Sequence, residues 1–142
     1  MFIKRSNYSL DNKGRLIVPK NSIITNKESI VFFSENSLTF SMYNLSTYIK
    51  MIKDLKSKKE CALNKGQIEV CKYIDNQINL IVSSIIGEKN IDSQNRIVIS
   101  ENIRKMYELE KNIVLCNGID HIKVFKNEEN LEKYRNNLEL KL

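Results

Sequence analysis

Two short polar segments of this sequence each place an aspartate four residues before an arginine, between stretches that alternate like β-strands. The first segment, SLDNKGRLIVP, contains Asp11 and Arg15, and the second, NIDSQNRIVIS, contains Asp92 and Arg96 at a spacing of 81 residues. An aspartate in a turn can accept hydrogen bonds from nearby backbone N–H groups, and an arginine can donate two parallel bonds to guanine or phosphate. The pattern alone leaves a second interpretation open, in which each pair is a surface ion pair worth about 0–1 kcal/mol.

Residues that usually perform catalysis are scarce. The three cysteines, Cys61, Cys71 and Cys116, are odd in number and match no zinc-binding spacing, so we interpret them as reduced, small hydrophobic residues. The single histidine, His121, has no serine, cysteine or carboxylate at a catalytic spacing and is interpreted as a surface residue of a hairpin turn. No glycine-rich phosphate loop is present. We therefore predict that the chain is not an enzyme and holds no metal, cofactor or small-molecule ligand.

The positive charge is concentrated near the N-terminus. The chain of 142 residues has a formal net charge of +6 and a pI near 9.2, which raises the question of nucleic-acid binding. Residues 1–20 contain one acidic residue against Lys4, Arg5, Lys13, Arg15 and Lys20, whereas the matching stretch 92–111 is electrically balanced. No apolar run approaches the length of about 20 residues needed to span a bilayer, and no signal peptide is evident, so we expect a cytoplasmic protein without membrane contacts.

The recurring motif is best explained by two copies of one unit. Each copy is predicted to run strand, turn, strand, short helix, strand, hairpin, strand and trailing helix. Gly14 in the first turn, and Asn95 at the same place in the second, suit a backbone with positive φ. Pro19 is predicted to begin the first short helix, whereas Ser100 is predicted to cap the second through its hydroxyl.

The predicted elements divide the chain into a first unit (1–62), a linker helix (63–79) and a second unit (80–142). An amphipathic, lysine-rich helix is predicted from Leu45 to Lys59 and another over 64–78, while INLIVSSII (78–86) is interpreted as a strand. One unit cannot cover its own apolar face or protect its sheet edges. We therefore expect an α+β fold in which two units interleave their hairpins into a pseudo-two-fold, closed barrel with flanking helices. The two turns would then lie side by side.

The chain resembles the MraZ family in the segments LDNKGRLIVP and IDSQNRIVISENIRKMYELEKNIVLCNGIDHIKVF. Members of this family are bacterial transcription regulators with tandem SpoVT/AbrB-like units that form a swapped-hairpin barrel. The resemblance extends from Phe2 to about Tyr134. It departs from the usual pattern at Asn95 and Ser100, where the family commonly has glycine and proline. The segment KNSIITNKES lacks the aromatic-arginine pair often found there, and the linker helix, often rich in arginine in the family, has Gln67 and Glu69.

The resemblance implies a sequence-specific DNA-binding regulator that recognises short direct repeats upstream of the operon for cell division and wall synthesis. It also implies a homo-oligomeric ring of several subunits and a nucleoid-associated location. Its site residues fall into two sets. Those expected to contact double-stranded DNA are Lys4, Arg5, Lys13, Arg15 and Arg96, and those expected to structure the turns are Asp11, Gly14, Asp92 and Asn95.

A function of another class stays open at this point. The same barrel could serve as a protein-interaction or antitoxin-like assembly module whose trailing helices hold a partner. The lysine cluster between Lys50 and Lys59 and the C-terminal helix predicted over 127–142 could serve either function.

Overall fold

A computed structural model describes the backbone of residues 4–140 and the side chains of residues 6–138. Its strands are β1 (Lys4–Ser9), β2 (Arg15–Ile17), β3 (Ile30–Ser34), β4 (Thr39–Asn44), β5 (Ile85–Lys89), β6 (Arg96–Val98), β7 (Asn112–Asn117) and β8 (Ile122–Phe125). Its helices are α1 (Leu45–Asn64), α2 (Ile68–Ser83), α3 (Glu101–Met106) and α4 (Glu128–Leu140). The predicted α+β class is confirmed.

Six strands form one antiparallel sheet in the order β1-β7-β8-β4-β3-β5, and β2 pairs with β6 in a separate two-stranded ribbon. This order stays the same when the two repeats are exchanged, because β1 pairs with β7 of the second repeat and β5 pairs with β3 of the first. The register obeys the same symmetry: Tyr8 lies opposite Ile113, and Lys89, which is 81 residues after Tyr8, lies opposite Ile30. The two repeats are therefore interleaved about a pseudo-two-fold axis between β4 and β8.

Strands β1 and β5 each have one hydrogen-bonded neighbour within residues 4–140, so they form the two edges of the larger sheet. The ribbon covers one face of that sheet. Among the described residues, a single bridge from Leu10, directly after β1, to Leu16 links the ribbon to an edge strand, and no ladder does. The described strands thus interleave without a continuous ring of hydrogen bonds, and the closed swapped-hairpin barrel stays a prediction.

The hydrophobic core lies on both faces of the six-stranded sheet. On one face, Ile113 and Leu115 of β7 belong to a large cluster that also contains Leu16 and Ile97 of the ribbon. On the other face, alternate residues of β7 and Phe125 of β8 pack beneath Leu131 of α4. Because successive side chains of a strand point to opposite faces, the ribbon and α4 lie on opposite sides of the sheet.

The short helix predicted after Pro19 is wrong, since residues 18–29 form a series of turns. Asn21 has a φ of 58°, which interrupts helical geometry two residues after the proline. The side chain of Asn44 provides hydrogen-bond partners for the backbone of this segment: it accepts from Thr25 N at 3.0 Å and donates to Ile23 O at 2.8 Å. The predicted cap of the second copy is confirmed: the Ser100 hydroxyl accepts from the backbone N–H of Ile103 at 3.3 Å.

Helices α1 and α2 form an antiparallel hairpin between the repeats, joined by a turn that contains Gly66. Both end later than predicted, and α2 begins at Ile68 rather than at residue 64. The strand predicted over INLIVSSII is wrong for its first six residues, which belong to α2. The apolar stripe of Cys71, Ile74, Ile78 and Ile81 continues at helical spacing, and no glycine or proline interrupts it before Gly87. The helix therefore ends only at Ser83, and β5 begins at Ile85.

Candidate nucleic-acid interface

The first turn is organised by the carboxylate of Asp11. Its Oδ1 accepts from the backbone N–H groups of Lys13 and Arg15, both at 2.9 Å, and its Oδ2 accepts from Nε of Arg15 at 2.5 Å. The N–H of Arg15 is the main cause that holds the pKa of Asp11 below its usual value, and it outweighs the effect of partial burial. A single charged carboxylate thus fixes both the loop and the guanidinium group that follows it.

The second turn repeats this arrangement. The Oδ1 of Asp92 accepts from the N–H groups of Gln94 at 2.9 Å and of Arg96 at 2.8 Å, and its Oδ2 accepts from Nε of Arg96 at 2.9 Å. The pKa of Asp92 is lowered by the same principal cause, the backbone N–H of its arginine. The two copies of the motif therefore share one geometry as well as one spacing.

The two turns are also joined to each other. Gly14, at φ 75°, accepts from Ile99 N through its carbonyl at 2.8 Å. Asn95 occupies the equivalent place at φ 61°, and its carbonyl accepts from Val18 N at 2.9 Å. The Asn95 side chain adds a second bond, from Nδ2 to Val18 O at 2.9 Å. These bonds extend the pairing of β2 with β6 by one residue at each end and fix both turns on the same ribbon.

One charged residue at the first turn was not predicted as a site residue. The Nε of Arg104 in α3 donates to Ile99 O at 2.9 Å, and its guanidinium group lies against Gly14. No local pattern could have indicated this contact, because the two residues are 90 positions apart and belong to different repeats. Arg104 adds positive charge to a turn that already carries Lys13 and Arg15.

The outward face of the ribbon carries the two motif arginines. Arg15 lies opposite Val98, and Arg96 lies opposite Ile17, while Leu16 and Ile97 point into the core with no exposed surface. The side chains of Arg15 and Arg96 are 27% and 28% exposed. The register and ordinary strand spacing place their Cα atoms about 8 Å apart. The turns flank a three-residue ribbon, one at each end, and both arginines face outward from it.

The remaining predicted DNA-contacting residues are distributed unequally. Lys13 is exposed in the first turn, and the equivalent position of the second turn is the neutral Gln94. The side chains of Lys4 and Arg5 lie outside the described residues. Their backbone pairs with Asn117 and Cys116, at the end of β1 furthest from the turn, about 17 Å along the strand. The structure thus groups Lys13, Arg15 and Arg96 but separates positions 4 and 5 from them.

The described part of the chain gives little support for a metal site, a catalytic histidine or a membrane-spanning helix. No group of three or more His, Cys, Asp or Glu side chains is placed there to hold a metal ion. His121 lies in the β7–β8 hairpin turn, as predicted, but it is less exposed than a surface residue: its side chain is 13% exposed, its ring packs on Tyr43, and its Nδ1 lies 2.7 Å from the Asp120 carboxylate. None of the helices described has both the length and the apolar character for a membrane span.

Comparison with known proteins identifies relatives along almost the whole chain. No protein-family model matches. A transcriptional regulator MraZ from Mycoplasmoides gallisepticum is 28% identical over 141 residues, which cover 94% of this chain and 92% of the relative. A transcriptional regulator MraZ from Cutibacterium acnes is 25% identical over 134 residues, which cover 94% of this chain and 87% of the relative.

Proposed function

Since the chain belongs to the MraZ family of transcriptional regulators, we propose that it binds double-stranded DNA sequence-specifically through its two Asp-x-x-x-Arg turns. The observation that carries this proposal is the pair of arginines, each fixed by its own aspartate, on the outward face of one ribbon. The targets would be short direct repeats upstream of the cell division and cell wall operon. A regulator of this kind would be cytoplasmic and associated with the nucleoid.

The chemistry of the fixed arginine suits recognition of a base or a phosphate. In both turns the bond to aspartate uses Nε, on one edge of the guanidinium group. The terminal nitrogens, on the other edges, can then donate bidentately to O6 and N7 of guanine or to a phosphate. Because the aspartate restricts rotation of the side chain before DNA arrives, less conformational entropy is lost on binding. Lys13 and Arg104 would supply positive charge that attracts phosphates to the first turn.

A single subunit makes few contacts, so the proposal includes assembly into a ring of several subunits. Exposed apolar side chains on α2 support contacts between protein chains: Val70, Tyr73, Leu80 and Val82 are between 44% and 64% exposed. A ring that presents several ribbons to repeated sites makes the later contacts intramolecular and raises avidity by about 10²–10⁴. The same apolar surface favours the alternative function, a protein-interaction or antitoxin-like module of the same fold.

A gel-shift experiment with DNA from upstream of the protein's own gene separates these functions. The regulator predicts a specific, cooperative shift that weakens as salt rises, by about 0.9 log unit for each phosphate contact per log unit of salt. Arg15→Ala should abolish the shift while the protein remains folded. Arg135→Ala is the matched control, because Arg135 lies on α4, on the opposite side of the sheet from the ribbon. An unchanged shift with Arg15→Ala would refute the site.

A further inference from the structure

The outward face of the ribbon also presents two apolar side chains that have no role in the core. Ile17 is 66% exposed and Val98 is 38% exposed, although their strand neighbours Leu16 and Ile97 are completely buried. Each apolar residue is the cross-strand partner of a motif arginine: Val98 of Arg15, and Ile17 of Arg96. Two adjacent pairs are therefore exposed to solvent on the ribbon, and each pair consists of one guanidinium group and one branched apolar side chain.

The surroundings of these four side chains indicate what covers them. Asp11 and Asp92, at the ends of the ribbon, are engaged by their own arginines, and exposed Lys13 and Lys20 flank β2 in the sequence. At the equivalent place beside β6 the exposed Glu101 is paired with Lys105, so the excess of positive charge lies on the β2 side. The two apolar side chains and the positive charge beside them form a surface that matches a polyanion with apolar groups between its negative charges. The major groove of DNA has this character, because phosphates line its edges and the C5-methyl groups of thymine project into it. Its width of about 12 Å admits a two-stranded ribbon.

We propose that Ile17 and Val98 are specificity-determining residues that contact thymine methyl groups beside the guanines bound by Arg96 and Arg15. This inference rests on the proposed function, and it adds a second type of base to the site. Cross-strand side chains are about 5 Å apart at Cβ, and stacked base pairs are about 3.4 Å apart, so each pair spans neighbouring base-pair steps. Ile17 extends one methylene further than Val98 and is more exposed, so its contact should be the stronger of the two.

Replacing thymine by deoxyuridine tests this contact, because it removes the methyl group and leaves base pairing intact. Deoxyuridine is introduced one position at a time into the upstream repeat, and affinity is measured for the full chain and for Ile17→Ala. We expect one substitution to weaken binding of the natural protein about fourfold, the effect of one buried methyl group. The same substitution should have no further effect on Ile17→Ala, since the two changes remove one contact.

Ile119→Ala is the matched control, because Ile119 is 69% exposed and lies in the β7–β8 turn, at the end of β7 away from the ribbon. Its affinity should equal that of the natural protein for both DNAs. An equal loss in this control would mean that any exposed isoleucine contributes, and it would overturn the assignment. Urea unfolding of Ile17→Ala should match the natural protein, since the side chain is largely solvated.

The possible outcomes separate this inference from the function on which it rests. If no specific DNA shift occurs, both are overturned. If a specific shift depends on Arg15 but deoxyuridine and Ile17→Ala leave it unchanged, the DNA-binding function stands and the apolar contact is overturned. If every deoxyuridine position that weakens the natural protein weakens Ile17→Ala equally, no thymine methyl group acts through Ile17, and its assignment is again overturned.

Discussion

The guanidinium group of Arg104 occupies the space beside Gly14 that a side chain would need. A Cβ at position 14 would stand 2.6 Å from Nε of Arg104 and 2.8 Å from the carbonyl oxygen of Ile99. The glycine is thus required twice, once for its φ of 75° and once for the close approach of the other repeat. This contact joins the first turn to α3 of the second repeat, so the two copies of the unit are coupled at the ribbon.

Replacing Gly14 by alanine should therefore lower the free energy of unfolding by more than the strain of a positive φ alone would. Gly66 gives the matched control, because its φ is 70° and nothing lies within 4 Å of where its Cβ would be. We expect Gly66→Ala to lower the free energy of unfolding by about 1 kcal/mol, the usual cost of a left-handed residue. Gly14→Ala should lower it by about 2–4 kcal/mol, because the Ile99 carbonyl is backbone and cannot move aside freely. Equilibrium urea unfolding measures both values, and equal losses would contradict the contact.

The bond between Asp11 and Arg15 should influence DNA binding more than stability. Asp11→Asn keeps the Oδ1 acceptor for the two backbone N–H groups but offers an NH₂ group, which cannot accept from Nε of Arg15. We expect the urea midpoint to change little and the affinity for DNA to fall about threefold to tenfold, since one charge-assisted bond is lost. Asp11→Ala removes every bond and should also destabilise the turn. A parallel loss of stability and affinity in both variants would instead assign Asp11 a purely structural role.

The sequence was sufficient to predict the elements whose determinants are local. The two turns, the strands around them and the Ser100 cap depend on residues within about five positions, and the interleaved pairing follows from the inability of one unit to cover its own apolar face. The predicted protection of the sheet edges is not seen in the described strands, since β1 and β5 are edges. The missing helix after Pro19 shows the limit of this approach. The backbone of that segment is satisfied by Asn44, which is about 20 residues away in β4 and carries no signal for this role in its own neighbourhood.

The composition of the site was less predictable than its location. The spacing of aspartate and arginine located both turns, but it could not indicate Arg104, which reaches the first turn from the other repeat. It could not indicate the exposure of Ile17 either, because alternation in a three-residue strand has no preferred face until the core has formed. Both features depend on tertiary packing. They arise only when the ribbon packs on the sheet.

A polar network beneath α4 should make the stability of the fold depend on pH in the acidic range. Glu35 accepts from Ser41 at 2.6 Å and from Tyr134 at 3.0 Å and forms an ion pair with Lys123. Burial would raise the pKa of Glu35, but these bonds outweigh it, and the pKa lies below its usual value of 4.5. Because the folded pKa is the lower one, the contribution of this group is present above pH 4.5 and is lost as the pH falls through the folded pKa.

Glu35→Gln tests this dependence. At pH 7 the natural protein should have the higher melting temperature, and the difference should shrink as the pH is lowered from 5 towards 3, an interval of about two pH units around the ordinary glutamate pKa. Glu129→Gln is the control, because Glu129 is an exposed residue of α4 that pairs with Lys133 on the same helix. Its melting temperature should follow that of the natural protein throughout. A difference for Glu35→Gln that stays constant with pH would contradict the role of the charged carboxylate.

The unequal charge of the two turns offers a test in which affinity should rise. Lys13 of the first turn corresponds to Gln94 of the second, and both are exposed. Gln94→Lys gives the second turn the charge of the first, so we expect tighter DNA binding at low salt and a steeper salt dependence, by about 0.9 log unit per added phosphate contact. Lys13→Gln should change both quantities in the opposite direction, and the double exchange should restore values near those of the natural protein, because the pseudo-two-fold axis makes the positions equivalent. If Lys13→Gln weakens binding while Gln94→Lys leaves the salt slope unchanged, only the first turn approaches the phosphates, and the two arginines act unequally.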